Sequence, residues 1–237
     1  MSPNVKGKTI LFFGPETFNY EKEIVSELER LGAQVIFRND KPGKTFLLKV
    51  LLRIFPKILW NYSDRVFGRW LAQFGPADCD VVLVIKGEGL SPRFLDGLRN
   101  RYKNAKFIFY LWDSVKNVRG VEQKLSKFDH IFSFDPDDCR RCPIFKYRPL
   151  FFIERYRSAA SATGRGCFFI GTLNGDRPAV ILRFIRALPK QIVFNYWLFV
   201  RNGIELFFWR FFDDSLKNLD QSRLLKVPMS SQAVSQN

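Results

Sequence analysis

Histidine is nearly missing from this 237-residue sequence, which has one, His130, against 26 phenylalanines. A Ser-His-Asp triad or a histidine-rich zinc site has almost nothing to draw on. Cysteine is scarce too. Cys79, Cys139, Cys142 and Cys167 are irregularly spaced, and the lone CxxC of CRRC lacks the further ligands a zinc site needs. The opening MSPNVKGKTILFFGP is no secretory leader, because its apolar run, Ile10 to Phe13, is far too short. Reduced thiols in the cytosol are therefore expected. No run reaches the ~18 apolar residues of a membrane-crossing helix. Internal repeats and low-complexity tracts are absent, as are the Walker and GxGxxG patterns. Acid is short as well: 23 Asp and Glu stand against 38 Lys and Arg, a net charge of +15.

That charge says little about fold and much about partners: nucleic acid, an anionic membrane or phosphorylated substrates. It is spread along the chain with no nucleic-acid motif, so nucleic acid is not an expected partner. The apolar fraction, 46%, is ample for a core, and the aromatic excess suggests large flat buried surfaces with some left exposed.

The first half alternates short apolar runs with helical patterns, the order of βαβ units on a parallel sheet. Strands are expected at Thr9–Phe13, Gln34–Phe37, Val81–Ile85, Lys106–Leu111 and His130–Phe134. The unbroken run Val81–Ile85 suits a strand covered on both faces. His130, inside a strand, reads as a core residue rather than a base. A helix over about Phe18–Leu31 has Ile24, Val25, Leu28 and Leu31 at helical spacing and ends at Gly32. Residues 44–74 read as two helices broken near Pro56, and Ser91-Pro92 as the cap and first residue of another.

Residues 154–166 are small and polar and read as a linker. The expected organisation is thus a Rossmann-like domain over 1–153 and a second over 167–237. In the second, strands are expected at Cys167–Ile170, Gln191–Phe194 and Arg223–Val227, with a helix at Pro178–Leu188 and an aromatic amphipathic stretch at Phe199–Phe212. A complete doubly wound domain usually needs over ~100 residues, so this one is expected to be truncated or atypical.

Open parallel sheets bind ligands beyond the carboxyl ends of their strands. Five strand exits therefore stand out: GPETFNY, KGEGLSP, WDS, FDPDD and GTLNGDR. In the first, Gly14 allows a tight turn, and Glu16 is either a helix-capping acid or a site residue. In the second, Lys86 between a buried strand and the glycines around Glu88 is either a phosphate contact or part of a plain strand exit. In the third, Asp113 beside Trp112 and Ser114 is either a base for a sugar hydroxyl or a helix cap. FDPDD matches the acidic triplet of metal-dependent sugar transferases, but Asp-Pro after a strand is also an ordinary capped turn. GTLNGDR, with Gly171, Thr172, Asn174 and Arg177, is an anion cradle or a tight turn.

Residues 41–74 set seven Lys and Arg against one acid, Asp64. Lys49, Arg53 and Lys57 step by four, and Arg65 and Arg69 repeat the step, with Leu, Ile, Phe and Trp between them. Such a segment either lies on an anionic membrane or covers the sheet with a solvated basic face.

Taken together, FYLWDS, FDHIFSFDPDD and FFIGTLNGDR resemble segments of bacterial lipopolysaccharide, capsule and exopolysaccharide biosynthesis proteins, GT-B-like glycosyltransferases near the CgeB-like group. The resemblance spans most of Lys8–Val227. It implies two Rossmann-like domains facing a cleft, a lipid-linked glycan acceptor on the first and a nucleotide-sugar donor on the second. No metal or other cofactor is implied. Asp113 and Glu16 would be the catalytic carboxylates; Gly14, Lys86, Glu88, Trp112 and Ser114 would line the acceptor side. Gly171, Thr172, Asn174 and Arg177 would meet the donor diphosphate. Work on membrane-linked glycans would place the protein in the cytoplasm, peripheral on the inner face of the plasma membrane. Such families carry a later acidic segment for the donor sugar or ribose, and this sequence ends before one. An incomplete donor domain, and with it loss of activity, is the corresponding expectation.

Overall fold

A computed structural model describes residues 5–43, 45, 48, 51–52, 54–154, 166–173, 176–189, 191–200, 206–207 and 214–225. The chain divides into two compact units, Met1–Arg157 and Ser158–Asn237. Both are α/β units built on parallel sheets.

The first unit has six parallel strands: β1 (Thr9–Gly14), β2 (Gln34–Asn39), β3 (Val81–Ile85), β4 (Lys106–Leu111), β5 (His130–Ser133) and β6 (Lys146–Tyr147). Their order is β2-β1-β3-β4-β5-β6. Among the described residues, helices α1 (Tyr20–Arg30), α2 (Pro56–Phe74), α3 (Pro92–Arg101) and α4 (Pro136–Arg141) join them, and residues 48, 51–52 and 54 ahead of α2 are helical as well. Two 3₁₀ turns, Val115–Asn117 and Glu122–Lys127, carry the chain from β4 to β5.

From β1 the chain reaches β2 on one side of the sheet and β3 on the other. Right-handed crossovers then put helices on both faces. β1 is accordingly buried throughout its apolar run. Ile10 and Phe12 pack in the cluster that contains Ile24, Val25 and Leu28 of α1, while Leu11 and Phe13 pack in the one that contains Phe67, Phe94 and Leu98 of α2 and α3. β3 divides the same way, which is why its sequence shows no polar alternation. Phe13 meets Phe67, Trp70 and Phe94 edge-on, at centroid distances of 6.1, 6.0 and 5.8 Å. Each such contact adds about 0.5–1.5 kcal/mol beyond the area buried.

β3 and β4 fall where their apolar runs place them. α1 ends in a Schellman motif: Gly32, at φ 91°, donates to Glu29 and Ala33 donates to Leu28. It begins at Tyr20 rather than Phe18, because Phe18 and Asn19 take left-handed backbone, φ 52° and 61°. The helix break near Pro56 is real, with proline at the first position of α2. Ser91 caps α3, accepting from the Phe94 N–H at 2.9 Å. His130 starts β5 but is exposed, at the amino end of the sheet, so it is not a core residue.

The second unit orders its parallel strands β7 (Gly166–Thr172), β8 (Val193–Phe199) and β9 (Leu224–Leu225) as β7-β8-β9. Among the described residues, helices α5 (Arg177–Ala187) and α6 (Asp214–Lys217) accompany them. Leu173, Ile181, Tyr196, Leu198 and Leu216 form its core. β8 is displaced from the expected Gln191–Phe194: it runs on through Asn195 and Tyr196 to Phe199. Aromatic residues there alternate into the sheet rather than opening a helix. Of the expected aromatic stretch, Leu206 and Phe207 are helical, and 201–205 and 208–213 lie outside the described residues. Among the described residues, no helix is long and apolar enough to cross a membrane.

Candidate functional site

The strand order reverses at β1, so the loops leaving β1 and β3 diverge and open a crevice beyond their carboxyl ends. The loop after β3 is strained there. Lys86 and Gly87 both sit at φ 62°. The Gly87 N–H closes back on the Ile85 carbonyl at 2.7 Å, a γ-turn centred on a non-glycine residue at positive φ. Such a residue costs about 1–3 kcal/mol and persists only where its surroundings hold it.

What holds it comes from beneath. Lys124 is buried, and its Nζ donates to the Gly87 carbonyl at 2.6 Å. Asp40, fully buried at the exit of β2, accepts twice. Its Oδ2 takes the Glu88 N–H at 3.0 Å, and its carbonyl takes the Gly89 N–H at 3.1 Å. Gly89 has to be glycine, since a Cβ would lie 2.3 Å from that carbonyl oxygen. The other carboxylate oxygen, Asp40 Oδ1, is buried without a hydrogen-bond partner among the described residues. Burial, reinforced by Glu88, raises the Asp40 pKa to about 6 against the pull of Lys41 and Lys86. Burial lowers that of Lys124 to about 8, opposed by Asp40 and Glu88.

Above this base runs a chain of alternating charges. Lys41 lies 3.2 Å from Glu88, Glu88 lies 3.3 Å from Lys86, and Lys86 lies 2.6 Å from Asp113. Burial alone would depress the Lys86 ammonium, but Glu88 and Asp113 outweigh it and hold its pKa above the usual range. Burial would likewise raise Glu88, and the two lysines reverse that. The Lys86 ammonium is shared between two carboxylates, so it is not the open cation that a phosphate contact requires. Asp113 is not a helix cap either: Ser114 precedes the 3₁₀ turn, and Asp113 turns to Lys86 instead. Its side chain remains 43% exposed, with one oxygen fixed by the ammonium. A carboxylate so placed can receive a hydrogen bond, or a proton, from an approaching hydroxyl.

Trp112 forms an aromatic wall next in sequence to Asp113. Its ring lies 6.3 Å from Tyr20 and 6.1 Å from Phe151, and Phe18 stands 64% exposed against Tyr20. Ser114 faces another way, donating to Asp135. Asp135 caps α4 through the Asp137 N–H, and Asp138 accepts from Val115 N–H and Ser133 Oγ. The FDPDD segment is thus a capped turn bound to the loop after β4. Among the described residues, no group of His, Cys, Asp and Glu is placed to hold a metal.

Lys86, Glu88 and Asp113 therefore come together, with Gly14 closing β1 beside them. Glu16 is exposed in the loop ahead of α1. Glu21, in the first turn of α1, reaches back to accept from the Thr17 N–H. Asp40, Lys41 and Lys124 belong to the site but carry no motif. The strand-exit rule, applied to Asn39–Asp40 after β2, would find the first two. Lys124 lies within EQKLSK, which reads as solvated surface.

In the second unit, Gly171 and Thr172 end β7. Arg177 opens α5 and folds back to donate to the Thr172 carbonyl at 2.6 Å. Asn174 lies outside the described residues. Lys57, Arg65 and Arg69 are exposed on α2, while Lys49 and Arg53 lie outside the described residues.

No protein-family model matches the chain, and no curated protein matches it. Among solved structures, it is similar to spinosyn rhamnosyltransferase SpnG complexed with thymidine diphosphate. The TM-score is 0.45 and the identity 12%, over 81% of this chain and 65% of the length of that one. That likeness assigns no residue a role.

Proposed function

We propose that the chain is a GT-B-like glycosyltransferase whose first unit receives a hydroxyl-bearing acceptor at the carboxyl end of its sheet. The observation that carries this reading is the Lys86–Asp113 pair, presented on a strained turn beside Trp112. Strain of this kind is kept where a side chain must be aimed. Asp113 would accept the proton of the attacking hydroxyl, and Trp112 with Tyr20 would pack against a sugar ring or another flat apolar face. Glu16 is the alternative carboxylate. Gly171, Thr172, Asn174 and Arg177 would meet the diphosphate of a nucleotide-sugar donor. A lipid-linked glycan acceptor, in the cytoplasm at the inner face of a bacterial plasma membrane, is the substrate that the sequence resemblance favours.

A thermal-shift panel of UDP-, GDP-, dTDP- and CMP-sugars tests the reading. A selective rise in Tm that Arg177→Ala abolishes is expected. Asp113→Ala should keep that rise and lose donor turnover by roughly 10²-fold or more. No rise with any donor would overturn the transferase reading.

A second reading is a non-catalytic membrane-surface partner in polysaccharide assembly. It is favoured by α2, where Ile58 and Tyr62 stand 72% and 46% exposed among Lys57, Arg65 and Arg69. Absence of binding to anionic vesicles would remove it.

A further inference from the structure

We propose that the groove between α2 and α3 binds the phosphate headgroup of an anionic phospholipid, with Arg65 and Arg93 as its paired contacts. The groove encloses about 660 Å³ and is lined by Asn61, Asp64, Arg65 and Gly68 of α2 and by Arg93 and Gly97 of α3. Two glycines keep it open: a Cβ at Gly68 or Gly97 would meet nothing within 4 Å. A glycine inside a helix costs about 1 kcal/mol relative to alanine. These two, facing one groove, leave space where any side chain would narrow it.

The charges inside are unevenly committed. Asp64 is engaged, its Oδ1 accepting from Ser91 Oγ at 2.6 Å. Neither Arg65 nor Arg93 has an ion pair or hydrogen bond among the described residues. Arg30 and Arg99, by contrast, are paired with carboxylates. Two open guanidinium forks from separate helices suit a phosphate, which accepts several planar donors at once.

A lipid, rather than a soluble phosphate, follows from the surface beside the groove. At the helical pitch of 100° per residue, Ile58, Tyr62, Arg65 and Arg69 fall within roughly 60° of arc. Ser63, Phe67 and Leu71 occupy the opposite, buried face. Ile58 is not scattered singly: Ile54, Phe55 and Tyr62 are exposed in the same stretch, and a run of exposed apolar side chains marks a contact surface. At a bilayer, Ile58 would enter the interfacial layer, Tyr62 would lie at headgroup level, and the arginines would reach the phosphates. The proposal rests on the membrane-surface reading and goes beyond it in naming the headgroup contact. It also requires Arg93, which is not on α2 at all.

Vesicle flotation of the whole chain tests it, with phosphatidylcholine alone and with equal parts phosphatidylcholine and phosphatidylglycerol. Wild type should float only with the anionic vesicles. Arg65→Ala and Arg93→Ala should each lower partitioning about tenfold. Arg186→Ala, the same charge change on exposed α5, should leave it within about twofold; an unspecific surface charge is worth about fivefold at most. Gly97→Leu fills the groove without altering charge and should weaken binding like the arginine variants. If Arg93→Ala and Gly97→Leu float like wild type, the groove is not the site, and the membrane-surface reading stands without it. If wild type floats with neither vesicle, the groove and the membrane-surface reading fall together.

Discussion

Lys86 reaches Asp113 at 2.6 Å across the exits of two neighbouring strands, from a backbone angle that glycine adopts far more readily. The side chain is in demand and the backbone resists it. Lys86→Ala removes the ion pairs and keeps the strain, whereas Lys86→Gly removes both. Lys86→Gly should therefore be more stable than Lys86→Ala by about 1 kcal/mol. Urea unfolding of the two variants reads the difference, and equal midpoints would show that the turn relaxes once the ammonium is gone.

Two glycines of the same unit should respond in opposite directions. A methyl at Gly89 would lie 2.3 Å from the Asp40 carbonyl oxygen, and backbone must move. Gly89→Ala should lose about 1–3 kcal/mol, as overpacked sites do. At Gly97 the added Cβ meets open space, so Gly97→Ala should gain about 0.5–1 kcal/mol from helix propensity. Thermal or urea unfolding of both variants checks the pair of signs.

Ser91 serves two helices. It caps α3 through the Phe94 N–H and donates to Asp64 of α2 at 2.6 Å. Ser91→Ala should cost about 1–2 kcal/mol, at the upper end for a lost cap, because Asp64 also loses its donor. If Asp64→Asn and the double variant are also measured by urea unfolding, the two losses should fail to add.

The legible parts of this fold were those with local causes. Val81–Ile85 and Phe107–Leu111 are unbroken apolar runs, and Ser91-Pro92 is a cap written in two letters. The parts that failed depend on residues far away. The aromatic run through β8 carries no period that separates strand from helix, and only pairing with β7 and β9 decides it. β6 is two residues long and exists through its ladder with β5. In the candidate site, the sequence singles out Lys86, Glu88 and Asp113 because strand exits are where parallel sheets bind. Their pairing was not legible, because an ion pair across two loops leaves no spacing in the sequence. Lys124 was invisible for the same reason: its hydrogen-bond partner, the Gly87 carbonyl, lies 37 residues earlier.

Asp40 and Lys124 make a pH prediction with a definite shape. Asp40 is raised from 3.8 to about 6, so it favours folding when protonated. Its contribution is complete below pH ~4 and lost as pH rises through about 6, a fall of about 3 kcal/mol. Lys124 is lowered from 10.5 to about 8, so it favours folding as the neutral amine. Its contribution is complete above pH ~10.5 and lost as pH falls through about 8, a similar amount. Glu88, Lys41 and Lys86 face the same pocket and set the balance: Glu88 pushes Asp40 up and the lysines pull it down. Stability should therefore be lowest between about pH 6 and 8, where both buried groups are charged. Asp40→Asn should remove the fall between pH 4 and 6, and Lys124 should then neutralise more readily, having lost a countercharge. Lys124→Met should remove the rise above pH 8 and shift the Asp40 fall to higher pH, since an unbalanced carboxylate ionises later. Urea midpoints from pH 4 to 10.5 for the three proteins read both limbs. Curves that stay parallel to wild type would mean that water reaches this pocket and neither group is held in the charge state its burial demands.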